Sequence, residues 1–204
     1  MTGPIKHFDL CLVTDRSLAN GRSLLWIVAE AVKGGVTLVQ LRDKIASTRA
    51  LIEQARALKA LLAPLRVPLL INDRIDVALA VGADGAHVGE GDMPIALVRK
   101  LLGPRAIAGL SITSSAVARS ENVTLADYLG VGPIFAQSTQ PDAATPLGVD
   151  GLAAIRRLTE KPIVAIGGVS ARNARALRLA GADGIAVVSA IDPMAAAAAF
   201  NHGG

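Results

Sequence analysis

The sequence predicts an α/β protein with a single domain, residues 1–204, folded as one (β/α)8 or TIM barrel with a frayed tail at about 201–204. Short β-branched apolar runs alternate with longer segments of helical spacing, which is the pattern of parallel βαβ units. The alternation occurs eight times within 204 residues, whereas an open doubly wound sheet usually has fewer strands. A repeated tetrapeptide, about half a barrel apart, indicates that the two halves are alike.

Eight short apolar segments supply the predicted strands, at 9–13, 37–41, 68–71, 85–88, 106–109, 128–131, 163–166 and 184–187. The helices between and after them are predicted at 24–33, 48–62, 75–81, 95–102, 116–119, 151–158, 171–179 and 194–200. The fifth helix has the weakest helical periodicity.

The repeated tetrapeptide is Gly-Ala-Asp-Gly, at 82–85 and again at 181–184, each time directly before a predicted strand. A glycine after a helix readily adopts the left-handed conformation that turns the chain into the next strand. Asp84 and Asp183 are therefore expected to be structural residues at the end of the barrel opposite the catalytic loops.

Composition narrows the class of partner. The formal net charge is +4, but lysine and arginine are spread along the chain and aromatic residues make up only 2%. Without aromatic stacking platforms, we expect no nucleic-acid partner. The positive balance suits an anionic metabolite or is an ordinary solvated surface, and composition does not separate the two.

Three features predict a cytoplasmic protein. No apolar run approaches the roughly 18–20 residues of a membrane span, so no membrane association is expected. The N-terminal segment has no apolar core behind a basic start, so no secretory signal is expected. Cys11, the one cysteine of the chain, lies in an apolar run and is expected to be buried.

Barrel enzymes carry their chemistry on the loops that follow the strands. Gln40, Arg42 and Lys44 alternate at strand period, which aims them into the barrel mouth if the strand continues that far. Arginine grips phosphate oxygens with two hydrogen bonds and lysine adds a point charge, so a diphosphate is the natural ligand. An ordinary solvated loop is the alternative.

Two carboxylates follow neighbouring strands. Asp73 comes directly after the third strand with Asn72, and Asp92 follows the fourth. Mg²⁺ takes one or two carboxylates and completes its shell with water and substrate phosphates. Asp92 is equally well explained as the cap of the helix that begins near Pro94. His87, in the fourth strand, is either a hydrogen-bonded barrel histidine or a catalytic one.

A second anion site is predicted on the last two strands. Gly167 and Gly168 follow the seventh strand before a helix, and Val188 and Ser189 follow the eighth. Loops at these places in barrels often hold phosphate with backbone N–H groups and a helix N-terminus. The alternative is that the glycines only permit a tight turn. Two anion sites together suggest a reaction that joins or rearranges two phosphorylated small molecules.

Over nearly its whole length the sequence resembles the thiamine-phosphate synthase family. The resemblance rests on ordered motifs: Leu-Val-Thr-Asp-Arg at 12–16, Gln-Leu-Arg-Asp-Lys at 40–44, Asn-Asp-Arg at 72–74, Gly-Ala-Asp-Gly-Ala-His-Val-Gly at 82–89, Asp-Tyr-Leu-Gly-Val-Gly-Pro-Ile-Phe at 127–135, Ala-Ile-Gly-Gly-Val at 165–169 and Gly-Ile-Ala-Val-Val-Ser-Ala-Ile at 184–191.

The resemblance implies a TIM barrel that joins hydroxymethylpyrimidine diphosphate to a thiazole phosphate, with Mg²⁺ as cofactor. It implies Gln40, Arg42, Lys44, Asn72 and Ser111 for the pyrimidine diphosphate, Asp73 and Asp92 for the metal, and Gly168, Val188 and Ser189 for the thiazole phosphate. Arg42, Lys44 and Ser111 are the predicted catalytic residues. The predicted substrate-binding set also includes Leu41, Asp43, His87, Tyr128, Gln137, Ser138, Thr139 and Gln140.

The sequence departs from the family pattern after the sixth strand. Family members usually carry Thr-x-Thr-Lys there, whereas this chain has Gln-Ser-Thr-Gln at 137–140 and so lacks the lysine. Related thiazole tautomerases carry a histidine in the segment after Ser111, and here that segment is Ile-Thr-Ser. A synthase is the main prediction; a paralogue acting on another phosphorylated heterocycle and a noncatalytic phosphometabolite binder stay open, as does homo-oligomerisation.

Overall fold

The structure, a computed structural model, describes residues 8–19, 21–136 and 145–188 and contains a closed barrel of eight parallel strands. Neighbouring strands follow chain order, and β1 closes the barrel by pairing with β8. The strands are β1 Leu10–Val13, β2 Leu38–Leu41, β3 Leu69–Asn72, β4 Gly85–Val88, β5 Ile107–Ile112, β6 Tyr128–Val131, β7 Ile163–Ala165 and β8 Gly184–Val188. The predicted fold class is confirmed.

Helices lie outside the strands, and the first four have the predicted bounds. They are α1 Leu24–Lys33, α2 Thr48–Leu62, α3 Ile75–Val81, α4 Ile95–Leu102, α5 Ser115–Ala118, α6 Asn122–Leu125, α7 Gly148–Arg156 and α8 Ala174–Leu179. The single fifth helix predicted at 116–119 is wrong in extent, because two separate one-turn helices, α5 and α6, connect β5 to β6. The helix predicted at 194–200 lies outside the described residues.

Alternation along the strands separates two apolar cores. In β2, Val39 and Leu41 pack in the larger core beneath the helices, while Leu38 faces the barrel interior. The interior core is small and consists of Cys11, Val13, Leu38, Leu70, Tyr128, Val164 and Ala186. Cys11 is buried as expected, and that burial raises the pKa of its thiol to about 12.

The end of the barrel opposite the catalytic loops repeats one hydrogen bond four times. The residue just before each even-numbered strand accepts, through a side-chain oxygen, the backbone N–H near the start of the preceding strand. The four pairs are Thr37 with Leu10 at 3.1 Å, Asp84 with Leu69 at 2.9 Å, Asp127 with Ala108 at 2.7 Å, and Asp183 with Ile163 at 2.8 Å. Asp84 and Asp183, which are predicted to be structural residues, thus each join two neighbouring strands at this end of the barrel.

The fifth strand runs three residues further than the predicted 106–109 and so includes Ser111. Gly109 suggested a strand end, yet it lies mid-strand, where a Cβ atom would come within 2.3 Å of Nδ1 of His87. The glycine is there because side chains from neighbouring strands fill its space. Within the described residues, we find no helix that combines the length and the apolar character needed to cross a membrane.

Candidate active site

The C-terminal end of β2 places two predicted residues at the barrel mouth. Gln40 is buried among the interior side chains, and Arg42, just beyond the strand, is partly buried. Thr14 fixes this end: its backbone N–H donates to the carbonyl of Gln40, and its hydroxyl bonds both the N–H and the carbonyl of Arg42. Asp15 lies 3.9 Å from the Arg42 guanidinium. These contacts hold Arg42 at the rim.

Two other residues of the Gln-Leu-Arg-Asp-Lys run have side chains that are engaged away from the barrel mouth, and their role as substrate contacts stays a prediction. The Leu41 side chain packs under the helices, because odd positions of β2 face outward. The Asp43 carboxylate accepts hydrogen bonds from the backbone of Ile45 and Ala46 and from the amide of Gln54. Asp43 thus orders the loop into α2, and it borders a side cavity of about 190 Å³ between that loop and α1.

Asp73 follows β3 in an unusual backbone conformation. Its φ of 61° is in the left-handed region, which non-glycine residues other than asparagine and aspartate rarely adopt. Its N–H donates to the carbonyl of His87 on the neighbouring strand. Arg74, the third residue of the same signature, turns away to pair with Asp76 at 2.6 Å. The turn therefore keeps Asp73 at the mouth and sends Arg74 to the helices.

The carboxyl groups of Asp73 and Asp92 share a hydrogen bond at the rim. Burial, followed by the contact with Asp92, raises the pKa of Asp73 to about 6, and the positive charges of Lys44 and Arg42 oppose that rise. The charges of the two predicted cations therefore act on the predicted carboxylates. Lys44 has this effect although β2 ends at Leu41.

The alternative assignment of Asp92 as a helix cap is wrong. The residue preceding α4 is Pro94, and it forms no side-chain capping bond. The Asp92 carboxylate instead accepts the N–H of Gly89 at 2.8 Å, which folds the loop after β4 back toward Asp73. Among the described residues, no group of three or more His, Cys, Asp or Glu side chains is arranged to hold a metal.

His87 lies inside the barrel between two hydroxyl groups. Its Nδ1 is 2.8 Å from the Tyr128 hydroxyl and its Nε2 is 2.9 Å from the Ser111 hydroxyl. Burial lowers the pKa of His87 to about 4, partly opposed by the charge of Asp92, so the ring is neutral near pH 7. Of the three side chains, Ser111 is the one that is partly exposed, near the carboxyl end of β5.

The predicted second anion site is only partly described. Gly167 and Gly168 both have positive φ, at 95° and 66°, and a Cβ on Gly168 would lie 2.7 Å from Cβ of Phe135. The tight turn therefore requires glycine here, whether or not a phosphate binds. Val188 ends β8 and is partly buried at the same rim. Ser189, Gln137, Ser138, Thr139 and Gln140 lie outside the described residues.

Comparison with known proteins decides the family. The model of the thiamine monophosphate synthase family matches residues 10–191. The chain belongs to the thiamine monophosphate synthase family. It is 55% identical over 198 residues to a thiamine-phosphate synthase of Albidiferax ferrireducens, covering 95% of this chain and 90% of that one. It is 53% identical over 187 residues to a thiamine-phosphate synthase of Chloroflexus aurantiacus, covering 92% and 86%.

A solved structure agrees with this assignment. The thiamine phosphate pyrophosphorylase of Pyrococcus furiosus superposes with a TM-score of 0.85 at 35% identity, covering 97% of this chain and 96% of that one. A 3-hexulose-6-phosphate synthase superposes with a TM-score of 0.65 at 18% identity, a likeness that shows the barrel fold alone. This member of the thiamine monophosphate synthase family is an enzyme, a transferase.

The structure adds one residue that sequence reasoning missed in this thiamine monophosphate synthase family member. The sequence gives Thr14 no role beyond its place in the Leu-Val-Thr-Asp-Arg motif. In the structure Thr14 is fully buried and hydrogen-bonds the backbone of Gln40 and of Arg42. A buried threonine at a strand end, where an apolar residue fits the pattern better, was the available signal.

Proposed function

We propose that this protein joins hydroxymethylpyrimidine diphosphate to a thiazole phosphate, forming thiamine phosphate and releasing diphosphate. The observation that carries the proposal is the electrostatic effect of Arg42 and Lys44 on the Asp73–Asp92 pair at the rim of a barrel of this family. Cations suit a leaving diphosphate, and paired carboxylates suit the ion that accompanies it.

Arg42 and Lys44 are the proposed catalytic cations. The bond between the pyrimidine methylene carbon and the diphosphate oxygen breaks, and the thiazole nitrogen forms a new bond to that carbon. The electron-rich aminopyrimidine stabilises the carbocation-like intermediate state, so the protein supplies no nucleophile and little proton transfer. Its residues instead position the reactants and stabilise charge on the departing diphosphate.

Three hydrogen-bonding side chains complete the proposed pyrimidine diphosphate site. Gln40, Asn72 and Ser111 end or nearly end β2, β3 and β5, so they surround the opening on the side where Arg42 lies. Ser111 carries a hydroxyl that reaches the mouth and is the third proposed catalytic residue. Gly168, Val188 and Ser189 are the proposed thiazole phosphate residues.

Mg²⁺ is the proposed cofactor, and the donor set fits it. Two carboxyl groups in hydrogen-bond contact repel each other when both are ionised, and a divalent cation between them removes that repulsion. Asp73 and Asp92 would hold the ion, which supplies charge neutralisation to the departing diphosphate when bound. Their oxygens leave most of the coordination shell to water and phosphate, as Mg²⁺ prefers.

The proposal extends to the partners of the protein and to its cellular compartment. Small phosphorylated molecules are the expected partners and the cytoplasm the expected compartment. Nucleic acid is not an expected partner, because Phe8, Trp26 and Tyr128 are scattered over an N-terminal segment, a helix and the barrel interior. Homo-oligomerisation stays open.

The experiment measures diphosphate release with both substrates and Mg²⁺ present, in Arg42→Met, in Lys44→Met and in Arg49→Met. Arg49 is exposed in the first turn of α2 and serves as the matched control. Each rim variant is expected to lose roughly a hundredfold in kcat, the effect typical of removing one preorganised electrostatic contact. Rim variants that keep the rate of the Arg49→Met control would overturn the assignment of these cations.

A further inference from the structure

Three polar side chains form a continuous hydrogen-bonded chain through the barrel interior. The Tyr128 hydroxyl is 2.8 Å from Nδ1 of His87, and Nε2 of His87 is 2.9 Å from the Ser111 hydroxyl. Tyr128 and His87 are each at least nine-tenths buried. A substrate at the mouth therefore reaches this chain through Ser111.

Glycines on two strands provide the space for the middle of this chain. A Cβ on Gly109 would lie 2.3 Å from Nδ1 of His87 and 2.5 Å from the Tyr128 ring. A Cβ on Gly130 would lie 2.8 Å from Cε1 of the same imidazole. The imidazole is tilted by 40° against the Tyr128 ring at a centroid distance of 5.4 Å, and the Tyr128 ring stacks on Phe8 with centroids 4.8 Å apart. The packing around the imidazole and the phenol therefore restricts the positions of both rings.

The direction of the hydrogen bonds follows from counting hydrogens. A phenol is a stronger hydrogen-bond donor and a weaker acceptor than an aliphatic hydroxyl, so of the two groups that flank His87 the Tyr128 hydroxyl is the donor. The phenolic hydrogen then points to Nδ1 of His87. Both ring partners of His87 are neutral hydroxyls, so the buried ring is neutral and has one N–H. That N–H must lie on Nε2 and donate to Ser111.

We propose that Tyr128 holds His87 as the Nε2–H tautomer, so that the Ser111 oxygen is always an acceptor from His87 and its hydroxyl hydrogen is always offered to the substrate. His87 and Tyr128 are then positioning residues that act through Ser111, not substrate contacts. This inference rests on the proposed function for the identity of the substrate. The opposite polarity would turn the Ser111 hydrogen inward and leave the substrate only lone pairs.

Ser111 is well placed to use that hydrogen. A Cβ on Gly89 would lie 3.1 Å from a carboxylate oxygen of Asp92 and 3.9 Å from the Ser111 hydroxyl. The serine is therefore next to the acidic pair at the rim. A donor at this point suits a phosphate oxygen, whereas an acceptor would face the same oxygen unfavourably.

The first test reads the tautomer directly. The chain has three histidines, and His7→Gln with His202→Gln leaves His87 alone. Its ¹⁵N spectrum near pH 7 is expected to show a pyridine-type Nδ1 and a protonated, pyrrole-type Nε2. In Tyr128→Phe, which keeps the ring but removes the donor to Nδ1, the two nitrogen shifts are expected to move toward each other. A protonated Nδ1 in the otherwise native protein overturns the proposal.

The second test separates positioning from structural support. Tyr128→Phe is expected to lower kcat by roughly tenfold with KM nearly unchanged, the loss of about one hydrogen bond. In the Ser111→Ala background the same change is expected to cost almost nothing, because the effect passes through Ser111. An equal loss in both backgrounds indicates a structural role and overturns the proposal.

Failure of the proposed function has a different signature. If the native protein forms no thiamine phosphate, the assigned reaction is wrong, while the nitrogen shifts still decide the direction of the hydrogen-bonded chain. If the native protein is active but Tyr128→Phe costs the same with and without Ser111→Ala, the assigned reaction stands and the action of Tyr128 and His87 through Ser111 is wrong.

Discussion

Asp73 combines an uncommon backbone conformation with an unfavourable charge environment. Its φ of 61° is tolerated by aspartate, and its carboxyl is held against that of Asp92. A strained backbone and a neighbouring carboxylate both lower the stability of the folded protein. Residues with such features are concentrated at functional sites, where a bound ligand can offset the loss. The residue is therefore expected to destabilise the free protein and to be stabilised by a divalent ion.

The pH dependence at Asp73 has a definite sign. Its pKa is about 6 in the folded protein and near 3.9 in the unfolded chain, so the folded state binds the proton more tightly. The free energy of unfolding therefore falls as pH rises from about 4 to about 6, and the penalty is complete above that window. Without Mg²⁺, Asp73→Asn is expected to raise the Tm by a few degrees at about pH 7.5 and to change it little at about pH 4.

Asp76→Asn is the control for that measurement. The pKa of Asp76 is lowered, first by its hydrogen bond with Arg74, so its contribution is present above the unfolded pKa and is lost on acidification. Asp76→Asn is therefore expected to lower the Tm slightly near pH 7. Adding Mg²⁺ should raise the Tm of the native protein more than that of Asp73→Asn; equal shifts would contradict the metal assignment.

At the scale of single residues, the sequence predicted identities better than roles. Arg42 and Asp73 are predicted from their places after strands, and Ser111 from the family resemblance; the structure places all three at or near the carboxyl ends of their strands. Leu41 and Asp43 are predicted only because they belong to the Gln-Leu-Arg-Asp-Lys motif. The direction of the Leu41 side chain depends on the pairing of β2, and that of Asp43 depends on hydrogen bonds within the following loop. Those contacts join distant segments, so a local pattern did not reveal them.

At the scale of the element, β5 needs a glycine at position 109, because side chains of the neighbouring strands occupy the space that a Cβ would take. Gly109→Ala would push a methyl group into the His87 imidazole and the Tyr128 ring, both of which are fixed by hydrogen bonds. We expect a loss of about 1–3 kcal/mol in the free energy of unfolding from overpacking. Gly91→Ala is the control, because nothing lies within 4 Å of its added Cβ. Equal effects in urea titrations of the two variants would contradict this account of β5.

The repeated hydrogen bond between odd and even strands makes a second prediction for an element. The Asp127 carboxylate accepts the Ala108 N–H at 2.7 Å and pairs with Arg99 at 2.7 Å. Asp127→Ala leaves that N–H without its acceptor and is expected to cost about 1–3 kcal/mol in urea unfolding. Asp127→Asn keeps an acceptor oxygen and should cost less. A larger loss for asparagine than for alanine would contradict the hydrogen-bond explanation.

Periodicity predicted the elements well where a helix or strand carries its own pattern. The first four helices begin and end where predicted, and each has a side-chain or glycine cap at one end or both. The β5–β6 connection was misjudged, because its one-turn helices α5 and α6 are too short for a 3.6-residue period to be read. The end of β5 was misjudged because Gly109 resembles a turn signal.

At the scale of the whole molecule, closure of β1 on β8 makes the chain one cooperative unit. A single domain is expected to unfold in one transition, so Trp26 fluorescence on α1 and far-ultraviolet circular dichroism should give coincident urea curves. Separate midpoints for the two signals would contradict the single-domain prediction.

The measurement that tests the central claim most directly is thiamine phosphate formation by the purified protein. Hydroxymethylpyrimidine diphosphate, thiazole phosphate and Mg²⁺ are supplied together, with and without a chelator, and the product is quantified. The account predicts thiamine phosphate and an equal amount of diphosphate, both dependent on the two substrates and abolished by the chelator. A folded protein that yields no thiamine phosphate, or yields it unchanged in the chelator, would contradict the reaction or the metal-assisted site.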